Sequence, residues 1–250
     1  MIEIINGECI EELRKLESST VDLIITDPPY NIANFMNGRD TNLQKMRSNF
    51  FGAAGWDDLD FNDWKDHMRL FFKESSRILK SGASMIVFMS ILRVETLVEI
   101  ANEFGFYYKT TGIWHKTNPM PRNMNLHFVN SNECWIYFTY KTKTGTFNNK
   151  GKLVLDYIET SVTTAREKKS GKHPTQKPII LFEHFIRLLS NEGDLVVDPF
   201  LGSGSSAIAS YRLNRNFIGV ELEEKYAKLA NMRLEDEKTC LLYTSDAADE

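Results

Sequence analysis

The sequence predicts an α/β protein: a mostly parallel, seven-stranded sheet with helices on both faces and a small insert. Three observations carry this. Short apolar runs of strand length alternate with longer stretches of helical periodicity. A glycine-rich turn, Gly202-Ser203-Gly204, joins an apolar run to a helix-forming one. With 42% hydrophobic residues among 250, the chain can bury one substantial core but hardly a second full domain.

Each element follows from its local pattern. Ile2 to Ile5 reads as a strand, Cys9 to Leu16 as a helix, and the buried run Val21 to Thr26 as a second strand. Residues Asn31 to Gly55, rich in Asn, Gly and Met, lack sustained periodicity and read as a mobile loop beside the site. Phe61 to Leu79 is an amphipathic helix, Ser84 to Met89 a strand and Leu92 to Phe104 a helix. Tyr107 to Lys116 and Glu133 to Tyr140 read as antiparallel strands. Ile179 to Leu189 is helical, Asp194 to Asp198 a strand, Ser205 onward a helix, Phe217 to Leu222 a strand and Glu223 to Glu235 a helix. No internal repeat is visible.

The strand Val21 to Thr26 runs directly into Asp27-Pro28-Pro29-Tyr30. Each proline fixes φ and removes a backbone donor, so the neighbouring carbonyls are free to face a ligand. A carboxylate and an aromatic ring held in one rigid turn suit an acceptor for an N–H beside a stacking surface for a base. Asp-Pro also starts ordinary turns, and the tetrapeptide alone leaves both readings open.

A second motif is Asp198-Pro199-Phe200-Leu201-Gly202-Ser203-Gly204-Ser205. The two glycines permit backbone angles and close approaches that a Cβ forbids, and Ser205 opens a helix whose N-terminus faces the turn. Glu221 follows Asp198 by 23 positions, near the interval at which a nucleotide-binding βαβ unit places its ribose-binding carboxylate. The third glycine of the dinucleotide fingerprint is missing, so an adenosine with a short side chain fits better than a pyrophosphate. A purely structural turn also stays open.

Between these motifs lies His173-Pro174-Thr175-Gln176-Lys177-Pro178, just before the helix Ile179 to Leu189. Thr175 is placed to cap that helix, and the helix N-terminus with Lys177 would attract a ligand carboxylate. A well-capped helix without a ligand explains the spacing equally well.

The three motifs, in this order over residues 1 to 237, resemble the β-class of amino-directed DNA methyltransferases of the N6-adenine, restriction-modification type. The segment Trp114 to Arg122 is similar to small adenine methyltransferases of restriction systems. The resemblance implies a circularly permuted S-adenosylmethionine-dependent methyltransferase (Rossmann-like) fold, in which the strand that normally follows the last helix has moved to the N-terminus. It implies S-adenosylmethionine as cofactor and direct methyl transfer to the exocyclic amine of a flipped adenine in DNA. Asp27, Pro28, Pro29 and Tyr30 would be catalytic. Asp198, Phe200, Gly202, Gly204, Ser205 and Glu221 would hold the cofactor, with Thr175, Lys177, Asn6 and Glu8 at its margins. N4-cytosine methylation uses the same apparatus, although an initial Asp in the tetrapeptide goes more often with adenine. An inactive nucleic-acid-binding relative is a third reading, which the intact Asp27, Tyr30, Gly202 and Gly204 oppose.

Charge is unevenly distributed. The net charge is −4, yet residues 141 to 177 carry nine Lys/Arg against three acids. We expect residues 141 to 171 to form a target-recognition insert outside the sheet, within a single domain spanning 1 to 239. Arg122, Lys168, Lys169 and Lys172 are the DNA-facing candidates, while solvated loop charge is the plainer alternative for the insert. Cys9, Cys134 and Cys240 have no metal-ligand spacing, so no metal is expected and a reducing, cytoplasmic setting is. No membrane span or signal-like start is read. DNA is the expected partner; a homodimer and a cognate endonuclease are partners the resemblance leaves open. Residues 240 to 250 resemble a translated sequencing-library adapter and are read as a non-native tail.

Overall fold

The computed structural model describes residues 1–31, 59–121, 124–126, 128–171 and 173–246. The loop read at 31 to 55 falls almost wholly outside these residues, as do Arg122 and Lys172.

The strands are β1 (Ile2–Asn6), β2 (Val21–Thr26), β3 (Leu79–Met89), β4 (Phe106–Lys116), β5 (Asn132–Tyr140), β6 (Tyr157–Thr160), β7 (Leu195–Asp198) and β8 (Asn216–Glu221). The α-helices are α1 (Cys9–Lys15), α2 (Phe61–Ile78), α3 (Val94–Glu103), α4 (Ile179–Leu189), α5 (Ser205–Arg212) and α6 (Glu224–Asp246). One sheet in the order β1-β8-β7-β2-β3-β5-β4-β6 contains them all. Neighbours from β1 through to β3 are parallel, β5 is antiparallel to both β3 and β4, and β6 lies parallel to β4 at the edge.

Among the described residues the sheet therefore has eight strands rather than seven. The extra one, β6, comes from the segment expected to lie wholly outside the sheet. Its four residues bury only Ile158, too short a signal to separate from loop sequence. The open edge of β4 supplies what the local sequence lacks, with Ile113 opposite Tyr157 and the Trp114 indole donating to Thr160 Oγ1 at 2.8 Å.

Two cores lie on opposite faces of the sheet. On one, α2 presents Trp64, Met68, Phe71, Phe72 and Ile78 at helical spacing, packed with residues of α1 and α3. On the other, Phe182, Phe185 and Ile186 of α4 pack with Ala207 and Ile208 of α5 and Ala230 of α6. Fully burying a side chain of this size stabilises the fold by roughly 1.5–3 kcal/mol, so these stripes fix which face each helix covers. Helix α2 caps itself at Asp60, whose carboxylate accepts from the Asn62 N–H, and passes straight into β3. A register shift between Val21 and Leu23 lets β3 start earlier than its apolar run suggests.

The N-terminal strand completes the far edge. β1 pairs in parallel with β8, and the Met1 ammonium donates to Asn216 at 2.8 Å, as the permuted arrangement requires. Crossovers leave β2 toward one face and β7 toward the other, so a crevice opens where these two adjacent strands end. Asp27 and Asp198 flank it. The last helix continues past residue 239 to Asp246, so the backbone of the presumed tail extends α6.

Candidate active site

At this rim a cavity of about 400 Å³ is lined by Asp27 to Tyr30, the 173 to 177 segment, the glycine turn and the exit of β8. Asp27 is the centre of its polar end. The Tyr30 hydroxyl donates to Asp27 Oδ1 at 2.7 Å, and the Lys177 ammonium pairs with Oδ2. Lys177 is reached from 150 positions away, yet its side chain is only 4% exposed. Its Nζ also lies 3.3 Å from Glu133 Oε2 and 3.4 Å from the Tyr30 oxygen, while Lys116 Nζ sits 2.6 Å from Glu133 Oε1. The turn is fixed from behind: the Trp64 indole donates to the Pro29 carbonyl at 3.3 Å, and Arg93 to the Asn31 carbonyl at 2.7 Å.

The electrostatics follow from burial in company. Loss of water raises the Asp27 carboxyl above its ordinary value, against the pull of Lys177, and leaves it a better base than a surface aspartate. Burial and the nearby Asp27 and Glu133 push the Tyr30 phenol well up, so it stays a donor. Burial opposes charge on Lys177, but Asp27 and Glu133 outweigh it and raise the ammonium. Burial likewise opposes charge on Glu133, and Lys177 with Lys116 overcomes it, holding the carboxyl below its ordinary value.

The other end of the cavity is built by the glycine turn. Gly202 and Gly204 both have positive φ, +57° and +81°, which explains glycine at each. A Cβ on Gly202 would come to 3.5 Å from the His173 ring on the cavity wall. One on Gly204 would instead meet the Ala230 Cβ of α6 at 2.8 Å, so this glycine serves helix packing, not the ligand approach inferred from spacing. Glu221 accepts from the Gly202 N–H at 2.8 Å and the Glu223 N–H at 2.9 Å, leaving lone pairs for a diol. Phe200 lines the wall with its ring edge-on to Phe71. His173 packs against Tyr226 with centroids 4.3 Å apart; burial, then Lys177, Arg233 and Lys225, lower it to about 4, so it is neutral and does not repel a cationic ligand.

Several expected contacts serve the protein itself. Asp198 is buried, accepting from Thr26 Oγ1, Ser206 Oγ and the Phe200 N–H, and burial raises it to about 7. It ties β2, β7 and α5 together where it lines the cavity. The Ser205 hydroxyl donates to the Lys177 carbonyl at 2.8 Å. Asn6 spends its amide on the Glu221 and Leu222 carbonyls and does not line the cavity. Glu8 lines it and caps α1 through the Glu11 N–H. Thr175 does not cap α4. Pro178 occupies the cap position without a side-chain bond, and the Ile179 N–H is met by Glu167 Oε2 at 2.9 Å. Thr175 is exposed on the cavity wall. Lys177, expected on a cofactor carboxylate, is engaged with Asp27 and Glu133. Glu133 itself was missed; its one sequence signal is a carboxylate at the head of an apolar strand.

Lys168 is half-buried and Lys169 exposed, around a 3-10 turn at Arg166–Lys168. That turn is anchored on α6 and on the segment before α4: Ser170 donates to Asp236 at 2.5 Å, and Gln176 donates to the Glu167 carbonyl.

The cavity fits S-adenosylmethionine in size and donor set. Its volume lies within the range of small-ligand sites, Glu221 stands at the end of β8, the glycine turn leaves the floor open, and aromatic rings flank it. Among the described residues, no group of three or more His, Cys, Asp or Glu side chains is arranged to hold a metal ion, and no helix is long and apolar enough to cross a membrane.

Comparisons with known proteins agree with this geometry. The type II methyltransferase M.HinfI of Haemophilus influenzae is 34% identical over 250 residues, covering 94% of this chain and 68% of that protein. M2.DpnII of Streptococcus pneumoniae, also a type II methyltransferase, is 30% identical, covering 94% of this chain and 90% of its own. Among solved structures, M1.HpyAVI in complex with SAM superposes with a TM-score of 0.67 at 26% identity, over 94% of this chain and all of that one. The cytosine-N4-specific PvuII DNA methyltransferase shares the fold, with a TM-score of 0.74 at 20% identity over 93% of this chain and 86% of that one. The DNA methylase family profile matches residues 21–232, and with the permuted sheet and the two motifs meeting at one rim, the chain belongs to the DNA methylase family.

Proposed function

We propose that this DNA methylase transfers a methyl group from S-adenosylmethionine to the N6 amine of adenine in DNA. The observation that carries the reading is Asp27: a carboxylate at the head of the tetrapeptide, facing the cavity, with Tyr30 beside it. An acid at this position favours adenine over cytosine, by the resemblance described above.

Glu221, Phe200 and the backbone of the Gly202 turn would hold the cofactor, with Glu8 and Tyr226 on its walls. When bound, it supplies an electrophilic methyl whose bond to sulfur breaks with the electron pair left on sulfur. The target base must leave the duplex to reach this depth. Tyr30 offers it a ring, while Asp27 and the Pro28 carbonyl accept its amino hydrogens and turn the nitrogen lone pair out of conjugation. Once nitrogen has formed its new bond it carries a positive charge, and Asp27, made more basic by burial, takes the surplus proton. Alignment and fixed charges supply the catalysis.

The same reading makes residues 141 to 171 the recognition segment and the enzyme the modifying partner of a restriction endonuclease. The test is nucleoside mass spectrometry of DNA methylated by the wild-type protein and by Asp27→Asn. We expect N6-methyladenine from the former and a loss of at least a thousandfold in turnover for the latter, with cofactor binding kept. N4-methylcytosine as the product would reassign the base. Undiminished turnover by Asp27→Asn would remove Asp27 from the chemistry.

A further inference from the structure

Three features set Lys177 and Glu133 apart from a ligand-binding lysine with a nearby acid. First, the ammonium has no donor to spare. Its three N–H groups face Asp27, Glu133 and the Tyr30 oxygen, and Nζ lies 4.8 Å from the centroid of the Phe88 ring. Second, Lys177 is fixed at both ends, since Ser205 holds its carbonyl from the glycine turn. Third, Glu133 is itself held by Lys116 on the neighbouring strand β4, across the β4–β5 pairing that sets Trp114 opposite Glu133. Two cations and two carboxylates thus alternate in one chain, Lys116, Glu133, Lys177, Asp27, running from β4 to the reacting centre.

From this geometry we infer that Glu133 is a positioning residue for Asp27, acting through Lys177. By sharing the ammonium, it lets Lys177 orient the Asp27 carboxylate without taking up its whole charge. An Asp27 carboxylate paired alone with Lys177 would be held more tightly and would be the poorer acceptor for an amino hydrogen. With Glu133 present, the ammonium has a second anion to lean on when the target amine engages Asp27. No covalent step is added; the ammonium moves between two carboxylates already within reach. The inference rests on the reading of Asp27 as the group that meets the base.

The test is a double-mutant cycle of Glu133→Gln and Lys177→Met on the full-length protein, with Asp27→Asn as reference. The readouts are single-turnover methyl transfer to DNA, the KM for DNA, the Kd for S-adenosylmethionine and the melting temperature. Glu133→Gln should slow methyl transfer at least tenfold while the KM and Kd stay within about twofold of wild type. In the Lys177→Met background the same change should cost less than twofold, because no ammonium is left to share. A rate within twofold of wild type for Glu133→Gln would overturn the inference. So would a further tenfold loss in the Lys177→Met background. Parallel losses of cofactor affinity and melting temperature would overturn it too, since they would mark Glu133 as a strut. Full turnover by Asp27→Asn would instead defeat the underlying reading of Asp27, so the two failures are separable.

Discussion

Replacing Gly204 by alanine tests how the glycine turn is built. Its φ is +81°, where an L side chain costs roughly 1–2 kcal/mol. The new Cβ would stand 2.8 Å from the Ala230 Cβ and 3.1 Å from the Ala230 Cα, and forcing a methyl into a packed contact costs typically about 1–3 kcal/mol. The middle of the combined range is about 3.5 kcal/mol, or a fall of about 7–14 °C in Tm for a chain of this size. Ala230→Gly removes the nearer atom at a helix-propensity cost of about 1 kcal/mol. The double variant should therefore be more stable than the sum of the two singles by about 1 kcal/mol or more. Thermal and urea unfolding of the four proteins measure this directly. Strictly additive losses, or a Gly204→Ala protein that melts like wild type, would refute the contact with α6 as the reason for glycine at 204.

Tyr30→Phe removes the 2.7 Å bond to Asp27 but keeps the ring. Single-turnover rates should fall about tenfold for Phe and at least tenfold further for Ala, because a charge-assisted hydrogen bond is worth about 1.5–3 kcal/mol and stacking about 1–3 kcal/mol. A wild-type rate for Phe would show the hydroxyl idle. Asp198, raised from 3.8 to about 7 by burial, binds a proton more tightly folded than unfolded. Its contribution to stability is thus intact below about pH 4 and lost as pH rises toward and past 7, by up to about 4 kcal/mol. Urea unfolding from pH 4 to 8 should show Asp198→Asn gaining on wild type as pH rises; a constant difference would refute the shift. Replacing Lys168 and Lys169 with Ala should flatten the dependence of log DNA affinity on log salt by up to about 1.8 if both meet phosphate. An unchanged slope would place the DNA elsewhere.

What the chain alone determined is its local grammar. Apolar runs such as Val21 to Thr26 and the helical stripe Trp64, Met68, Phe71, Phe72 are read from periodicity because burial on one face imposes it. The turns at Asp27 to Tyr30 and Gly202 to Gly204 are equally legible, since proline and glycine constrain their own backbone. Tertiary structure decided the rest. β6 exists because β4 offers it an edge, and Thr175 yields its capping role because Glu167 reaches the Ile179 N–H first. Asp198 turns inward because Thr26 and Ser206 converge on it, and Lys177 is claimed by Asp27 and Glu133 across 150 and 44 positions. Spacing along a chain carries no record of which distant carboxylate will share a buried ammonium. Only packing brings those charges within a few ångströms, where the loss of water makes their mutual attraction decide the arrangement.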